Sequence, residues 1–368
     1  MALADDLHHM RAALALARRG LGGTWPNPSV GCVLVRDGRV VGRGWTQPGG
    51  RPHAETEALA RAGEAARGAT AYVTLEPCSH WGRTPPCCDA LIAAGVARVV
   101  AATGDPDPRV DGRGLRRLRE AGVAVEQGLL EAEAQALIAG FVRRITRGLP
   151  LVTLKLATTL DGRIATASGE SRWITGPAAR RVVHALRAAH DAVLVGSGTA
   201  LADDPDLTCR VPGMARVPLA RVVADTRLRT PLASRLVRTA REAPTWIATR
   251  TGQPPAALAP YLEAGVEVLP VRAREGGLDL QALLGALAQR GVTRVLAEGG
   301  AGIAAGLLRA GLVDRVAWFH APGVMGGDGL PAVRPLPLTT LSAMPRFRRV
   351  AGRAVGGDWF TEFEREDS

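Results

Sequence analysis

The sequence predicts two α/β domains in tandem. Three observations carry that reading. A length of 368 residues exceeds the roughly 100 to 200 of one ordinary domain. β-Branched runs alternate with helical-period segments in both halves. Midway, a helix gives way to Gly148-Leu149-Pro150 and then to a new strand, the punctuation of a domain boundary.

In the first half, Leu7, Met10, Leu14 and Ala17 recur at helical spacing and Gly20 stops the helix. Runs 30–35 and 40–44 flank Asp37-Gly38, the signal of a tight hairpin. A helix over 53–66, a strand over 71–75, a helix over 88–94 and a strand over 97–102 follow. The Gly104-Asp105-Pro106-Asp107-Pro108 segment leads into another helix and a short strand over 123–126, and a last helix covers 131–146.

The second half opens with a strand over 151–157 and a helix over 177–188. Strands follow over 192–195, 221–224, 245–248 and 266–270, then a helix over 280–289 and a strand over 294–297. Glu298-Gly299-Gly300-Ala301-Gly302 opens a further helix, and 315–320 with 359–363 read as closing antiparallel strands.

Composition narrows the function. No run approaches the roughly 20 apolar residues of a membrane span, and the N-terminus lacks a basic region followed by an apolar one, so the expected setting is cytoplasmic. The five cysteines are odd in number and clustered, which points to a metal or thiol site rather than a disulfide framework. A net charge of +11 suits anionic partners, either nucleic acid or phosphorylated small molecules. The aromatic content of 4% argues against a polynucleotide groove, which needs stacking platforms. Lys155 is the only lysine among 46 basic residues.

His53-Ala54-Glu55 opens one helix, and Pro77-Cys78 is followed nine residues later by Cys87 at the start of another. One imidazole and two thiolates give zinc three ligands and leave the fourth position to water, the pattern of a catalytic site. Glu55, two residues from its ligand, is placed beside the metal as general acid and base. The usual P-C-x-x-C spacing of zinc deaminases is expanded here to eight intervening residues. Cys88 is a rival third ligand, but adjacent helical residues point about 100° apart, which favours Cys87. His80 could close the site as a fourth ligand, giving a non-catalytic, zinc-stabilised binding protein.

In the second half, the glycines after residue 297 allow close backbone approach, and the helix they open presents free amides to a phosphate. The spacing is not that of the dinucleotide-binding G-x-G-x-x-G. A compact ammonium at Lys155, in a chain that otherwise uses guanidinium, marks that strand position as functional.

Three stretches carry a resemblance to a known family: residues 24–33 (Thr24-Trp25-Pro26-Asn27-Pro28-Ser29-Val30-Gly31-Cys32-Val33), Pro52-His53-Ala54-Glu55, and Thr74-Leu75-Glu76-Pro77-Cys78-Ser79-His80 with Gly82-Arg83-Thr84-Pro85-Pro86-Cys87. The chain resembles, along essentially its whole length, the bifunctional riboflavin-biosynthesis deaminase/reductases. The resemblance implies a cytidine-deaminase-like three-layer domain over 1–147, with zinc on His53, Cys78 and Cys87 and Glu55 as proton shuttle. This domain would hydrolyse the 2-amino group of a diaminopyrimidinone carrying phosphoribosylamine, with Asn27 on the pyrimidine. The sequence departs from the family pattern at Thr46, where a histidine is expected.

The likeness continues through Leu154-Lys155, Leu160-Asp161-Gly162-Arg163, residues 168–175, Gly198-Thr199, residues 203–210 and Glu298-Gly299-Gly300. It implies a dihydrofolate-reductase-like α/β domain over 150–368 that uses NADPH to reduce the ribosyl group to ribityl. By position, Ala157, Trp173, Thr199, Asp203, Thr226 and the turn Gly300, Ala301, Gly302, Ile303, Ala304, Ala305 and Gly306 would contact the nucleotide. Ser171, Arg187, Leu207, Arg210 and Glu298 would line the substrate side, the two arginines as bidentate phosphate donors. Lys155 and Glu298 would orient or protonate the ring-opened sugar. The expected partner is a phosphorylated pyrimidine, with no nucleic acid and no membrane; a homo-oligomer is compatible with all of this.

Overall fold

The computed structural model describes residues 3–82, 84–214, 217–274 and 276–366; Arg83 of the quoted motif lies outside them. The chain divides into two compact units, Met1–Gly148 and Leu149–Ser368.

The first unit runs α1 (Leu3–Ala17), β1 (Gly31–Arg36), β2 (Arg39–Trp45), α2 (Ala54–Ala62), β3 (Thr70–Val73), α3 (Cys87–Ala93), β4 (Arg98–Ala101), α4 (Arg113–Glu120), β5 (Ala124–Gln127) and α5 (Glu131–Arg147). Its sheet has the order β2-β1-β3-β4-β5. β1 pairs antiparallel with β2 and β3, and the remaining pairs are parallel. The hairpin closes through Asp37 and Gly38, both at positive φ, as a two-residue turn of primed type requires.

Two glycines set the layers. Successive strand residues face opposite sides of a sheet. A Cβ on Gly31 would meet the Ala13 carbonyl of α1 at 2.0 Å. A Cβ on Gly44, the partner of Cys32, would meet the Ala54 carbonyl of α2 at 2.1 Å. The helices therefore lie on opposite faces, and α2 rests its first turn directly on β2. α5 packs with α1, while α3 packs on α2 and α4 on α3, which completes three layers. One core unites Met10 and Leu14, the interiors of β1, β3 and β4, Leu91, Leu118 and Ile138.

The second unit runs β6 (Leu151–Thr158), β7 (Arg163–Ala165), α6 (Pro177–Ala188), β8 (Ala192–Gly196), α7 (Ser197–Asp203), β9 (Ala220–Ala224), α8 (Arg235–Arg238), β10 (Thr245–Arg250), α9 (Pro255–Glu263), β11 (Glu267–Val271), β12 (Ala273–Arg274), β13 (Gly277–Leu278), α10 (Leu280–Gln289), β14 (Arg294–Ala297), α11 (Ala301–Arg309), β15 (Arg315–His320), β16 (Leu330–Pro331), β17 (Phe347–Val355) and β18 (Asp358–Arg365). The main sheet has the order β11-β10-β9-β8-β14-β6-β15-β18-β17, parallel from β11 to β15 and antiparallel at β18 and β17. The central strands β8, β14 and β6 are buried on both faces, which is why they read as continuous apolar runs. The sequence pattern misses α7, α8, α9 and β17, along with the short strands β7, β12, β13 and β16. β17 is an arginine-bearing edge strand exposed along almost its whole length, so it carries no apolar alternation.

Beneath β6, His190 is 4% exposed. Its Nδ1–H donates to the Leu186 carbonyl at 2.6 Å and its Nε2 accepts from the Thr153 hydroxyl at 2.9 Å, so the neutral ring is the form that fits. Burial pulls its pKa from the ordinary 6.5 down to about 4. Protonation therefore favours the unfolded chain, and stability is lost as pH falls from about 6.5 toward about 4. Between pH 7 and pH 5 the second unit should lose on the order of 2 kcal/mol through this group. In denaturant titrations, His190→Gln should be less stable at pH 7 yet show that much less acid sensitivity; an unchanged acid slope would reject the assignment.

Candidate active sites

In the first unit the expected ligands meet. His53 caps α2 and Cys87 begins α3, so both sit at helix N-termini, where the dipole favours thiolate. His53 Nδ1 lies 3.3 Å from Cys87 Sγ and 3.7 Å from Cys78 Sγ, with all three donor atoms within 4.8 Å of one another. The Cys87 amide donates to Cys78 Sγ at 3.3 Å. The Cys87 thiol, that amide and His53 together hold Cys78 well below the ordinary thiol range, while Cys87 is driven the other way.

Cys88 stays apart: its thiol turns to Asp89 Oδ1 at 3.6 Å, and burial pushes it up to about 12. Neither His80 nor any other His, Cys, Asp or Glu joins the cluster among the described residues. One imidazole and two thiols, one already acidified, form a donor set that fits zinc with a position left open. Glu55, on the first turn of α2, is 4% exposed, and burial raises its carboxyl to about 7 against the pull of His53.

Asn27 lies one hydrogen bond from the segment that delivers His53, its Nδ2 donating to the Gly50 carbonyl at 2.8 Å. Thr46, which replaces the expected histidine, is 2% exposed and accepts the Val30 amide at 3.0 Å. It is spent on the backbone of β1's approach.

Two residues escaped the sequence reading. Asp105 is a half-buried carboxyl that desolvation raises to about 6, near enough to Cys78 to feel its charge. Glu76, next to Pro77-Cys78, accepts four amides: Gly114 at 2.9 Å and Leu115 at 3.3 Å on Oε1, Gly112 at 3.0 Å and Asp105 at 3.3 Å on Oε2. It caps α4 from across the fold and pins the Cys78 loop. Glu76→Ala should destabilise the first unit by about 3 kcal/mol and weaken zinc retention, measured by denaturant unfolding with and without a chelator. A loss below about 0.5 kcal/mol would show the loop to be held otherwise.

In the second unit, the candidate residues collect at the carboxyl ends of parallel strands, where open α/β sheets bind ligands. Ala297 pairs with Leu154 on one side and Leu194 on the other, so Glu298 and Lys155 stand level on neighbouring strands. Arg187 of α6 grips Glu298 side-on, Nε to Oε1 at 2.6 Å and Nη2 to Oε2 at 2.9 Å. Burial lowers the Lys155 pKa, with Glu298 opposing, and Arg187 with Lys155 holds Glu298 below its ordinary value despite burial.

A Cβ on Gly299 would stand 2.5 Å from Val195 Cα, and Gly300, at φ +46°, faces Thr199 Oγ1. Only glycine allows α11 to start this close to β8. Ala301, Gly302 and Ile303 present the free amides of that helix, whereas Ala304 already bonds Gly300 and is buried with Ala305. Gly306 packs on Leu280. The free helix amides of the turn are thus those of 301–303, and Ala304, Ala305 and Gly306 support them from the core side.

Trp173 is 68% exposed with the Arg180 guanidinium 4.4 Å over its ring, and Arg172 bonds Asp203 and so ties the 171–173 segment to α7. The Thr226 carbonyl accepts Thr249 Oγ1 and Gln253 Nε2 at 3.3 Å. Ala157 and Ser171 are partly open. Leu207 turns its side chain into the core, so only its backbone can meet a ligand. Arg210 is exposed and bonds Asp206 at 3.3 Å.

Comparison with known proteins agrees with both halves. Residues 3–103 match the cytidine and deoxycytidylate deaminase zinc-binding region, and residues 150–361 match the RibD C-terminal domain. The riboflavin biosynthesis protein RibD of Escherichia coli K12 is 47% identical over 366 residues, covering 96% of this chain and 98% of that protein. That of Aquifex aeolicus is 41% identical over 360 residues, with 98% of each covered. Among solved structures, Acinetobacter baumannii RibD (form 1) superposes with a TM-score of 0.89 at 38% identity over 100% of both chains. The Thermotoga maritima diaminohydroxyphosphoribosylaminopyrimidine deaminase/5-amino-6-(5-phosphoribosylamino)uracil reductase gives 0.86 at 34%, covering 98% of this chain and 99% of that one. With a deaminase zinc region and a reductase domain joined in one polypeptide and matched from end to end, the chain belongs to the bifunctional RibD family of riboflavin biosynthesis.

Proposed function

We propose that residues 1–147 deaminate a diaminopyrimidinone bearing a phosphoribosylamino group, and that residues 150–368 then reduce the ribosyl group of the aminouracil product to ribityl with NADPH. The observation that carries the reading is the open His53, Cys78, Cys87 donor set with the buried Glu55 beside it, in one chain with the level pair Lys155 and Glu298. The name of the Thermotoga neighbour pairs the same two activities.

Zinc on His53, Cys78 and Cys87 supplies a Lewis acid that makes water nucleophilic near neutral pH. Glu55 takes up the proton released and returns it to the departing amino nitrogen, which leaves as ammonia. Burial eases the uptake of a proton by this carboxyl, which suits it to carry one from water to the leaving nitrogen. Asn27 orients the pyrimidine.

In the second unit NADPH supplies the hydride. The turn from Gly300 to Ile303, whose free helix amides suit a phosphate, would hold the nucleotide together with Ala157, Trp173, Thr199, Asp203 and Thr226. Lys155 holds a proton toward the ring-opened sugar, and Glu298 orients it. Ser171, Arg187, the Leu207 backbone and Arg210 line the substrate side. The protein is expected to work in the cytoplasm; no helix among the described residues is long and apolar enough to cross a membrane.

The test is to incubate zinc-loaded protein with the diaminopyrimidinone, with and without NADPH, following ammonia and NADPH absorbance together. Ammonia without NADPH, and oxidation of NADPH when both are present, is the expected result. Ammonia with no oxidation would remove the reductase assignment, and neither signal would remove both.

A further inference from the structure

The loop that delivers His53 also carries a cation that the metal chemistry does not use. Residues 47–52 are held against the turn that bears Asn27: the Gly49 amide donates to the Gly23 carbonyl at 2.8 Å, Asn27 Nδ2 donates to the Gly50 carbonyl at 2.8 Å, and the Gln47 amide closes the loop on the Pro52 carbonyl at 3.0 Å. Gly50, at φ +86°, leaves no room for a side chain, since a Cβ there would meet Asn27 Nδ2 at 2.6 Å. Arg51 therefore starts beside Asn27 and two residues before His53, and its guanidinium crosses to the loop that joins Cys78 to Cys87. Nη1 donates to Thr84 Oγ1 at 2.5 Å, a Cβ on Gly82 would stand 2.8 Å from Nη2, and the charge is near enough to His53 to act on its imidazole. Gly82 and Thr84 are exposed while Cys87 is buried, so the guanidinium lies at the rim of the donor cluster. One of its protons is spent on Thr84; among the described residues no carboxylate pairs with Arg51, and Nε and Nη2 have no hydrogen-bond partner.

The substrate read for this unit carries its phosphate on the ribosyl arm, away from the pyrimidine edge that meets the metal and Asn27, so the arm leaves through the rim and brings a dianion with it. A guanidinium with free donors in a planar fork is the group that meets a phosphate bidentately. Thr46, buried and spent on the Val30 amide, offers the substrate nothing at the position of the expected histidine.

We propose that Arg51 binds the phosphate of the deaminase substrate at the rim of the first unit's site, an inference that rests on the deaminase reading of that unit. Arg51 then sets the preference for the phosphorylated pyrimidine over its riboside and takes no part in the hydrolytic step.

The experiment uses full-length, zinc-loaded Arg51→Gln and Arg51→Lys. Each is assayed for ammonia release from the diaminopyrimidinone ribosyl phosphate and from the corresponding riboside, with zinc content measured on the same samples. Arg51→Gln should raise KM for the phosphorylated substrate about 30-fold, hold kcat within about threefold of wild type, and leave the kinetics of the riboside unchanged. Arg51→Lys should recover part of the loss, because an ammonium meets a phosphate as a point charge without the fork. Ribose 5-phosphate should compete with substrate in wild type and do so about tenfold more weakly in Arg51→Gln. The same rise in KM for both substrates, or loss of zinc, would overturn the proposal and leave Arg51 as a latch on the ligand loop. An unchanged KM for the phosphorylated substrate would overturn it outright. Wild-type protein that releases no ammonia from either substrate would bring down the deaminase reading, and this inference with it.

Discussion

Glu55→Gln should bind zinc at one ion per chain, stay folded, and release ammonia about 1000-fold more slowly than wild type. The amide keeps the shape of the side chain and its hydrogen-bonding edge but cannot take up a proton at any pH used in an assay. Glu55 is buried, and its charge is already disfavoured there, so a neutral replacement costs the fold little. The same preparation should reduce supplied aminouracil substrate at the wild-type rate, because each unit has its own core and its own site. Zinc content, ammonia release and NADPH oxidation on one sample separate the possible causes. Near-normal ammonia release would end the proton-shuttle assignment; lost zinc would move Glu55 into the metal's support.

Lys155→Met should abolish reduction by about 100-fold or more while leaving ammonia release untouched. Methionine follows the lysine stem closely, so the variant removes charge and donor without opening a cavity. Stability is the informative control. Removing one partner from a buried ion pair is usually severe because the other charge is orphaned, but Glu298 keeps its bidentate bond to Arg187. The second unit should therefore hold within about 1 kcal/mol of wild type in denaturant titrations. A large loss of stability with equal loss of both activities would assign Lys155 to the fold.

The His53, Cys78 and Cys87 cluster was legible in the sequence because its pattern is local: each residue stands at a helix start or just past a strand, and residue type with spacing nearly determines the set. Cys87 could be chosen over Cys88 from helix geometry alone, and the structure turns Cys88 toward Asp89. Lys155 could be noticed because the chain spends no other lysine. What could not be read depends on contacts across long separations. Glu76 meets amides 29 to 39 residues away, at a helix start with no capping side chain of its own. Arg187 and Glu298 are 111 residues apart, and only the fold shows that one arginine is consumed by the other's carboxylate. Family likeness set both Arg187 and Arg210 on the substrate side; the structure shows Arg187 paired with Glu298 and Arg210 with Asp206. β17 was invisible for a different reason, since an exposed edge strand rich in arginine has no buried face to write a pattern.

A chain with one ε-amine has a built-in reporter. Lys155 sits partly enclosed among Glu298, Arg187 and Asp203, with its proton held less tightly than an ordinary lysine's. An amine-directed reagent therefore has a single side chain to find in 368 residues, besides the chain's own α-amino group. Acylation then adds at most two groups, and a digest separates the one at Lys155, in the second unit, from the one at the α-amino group. Occupancy of that site can be followed by footprinting without inserting a label anywhere, a convenience that follows from the economy with which this sequence uses lysine.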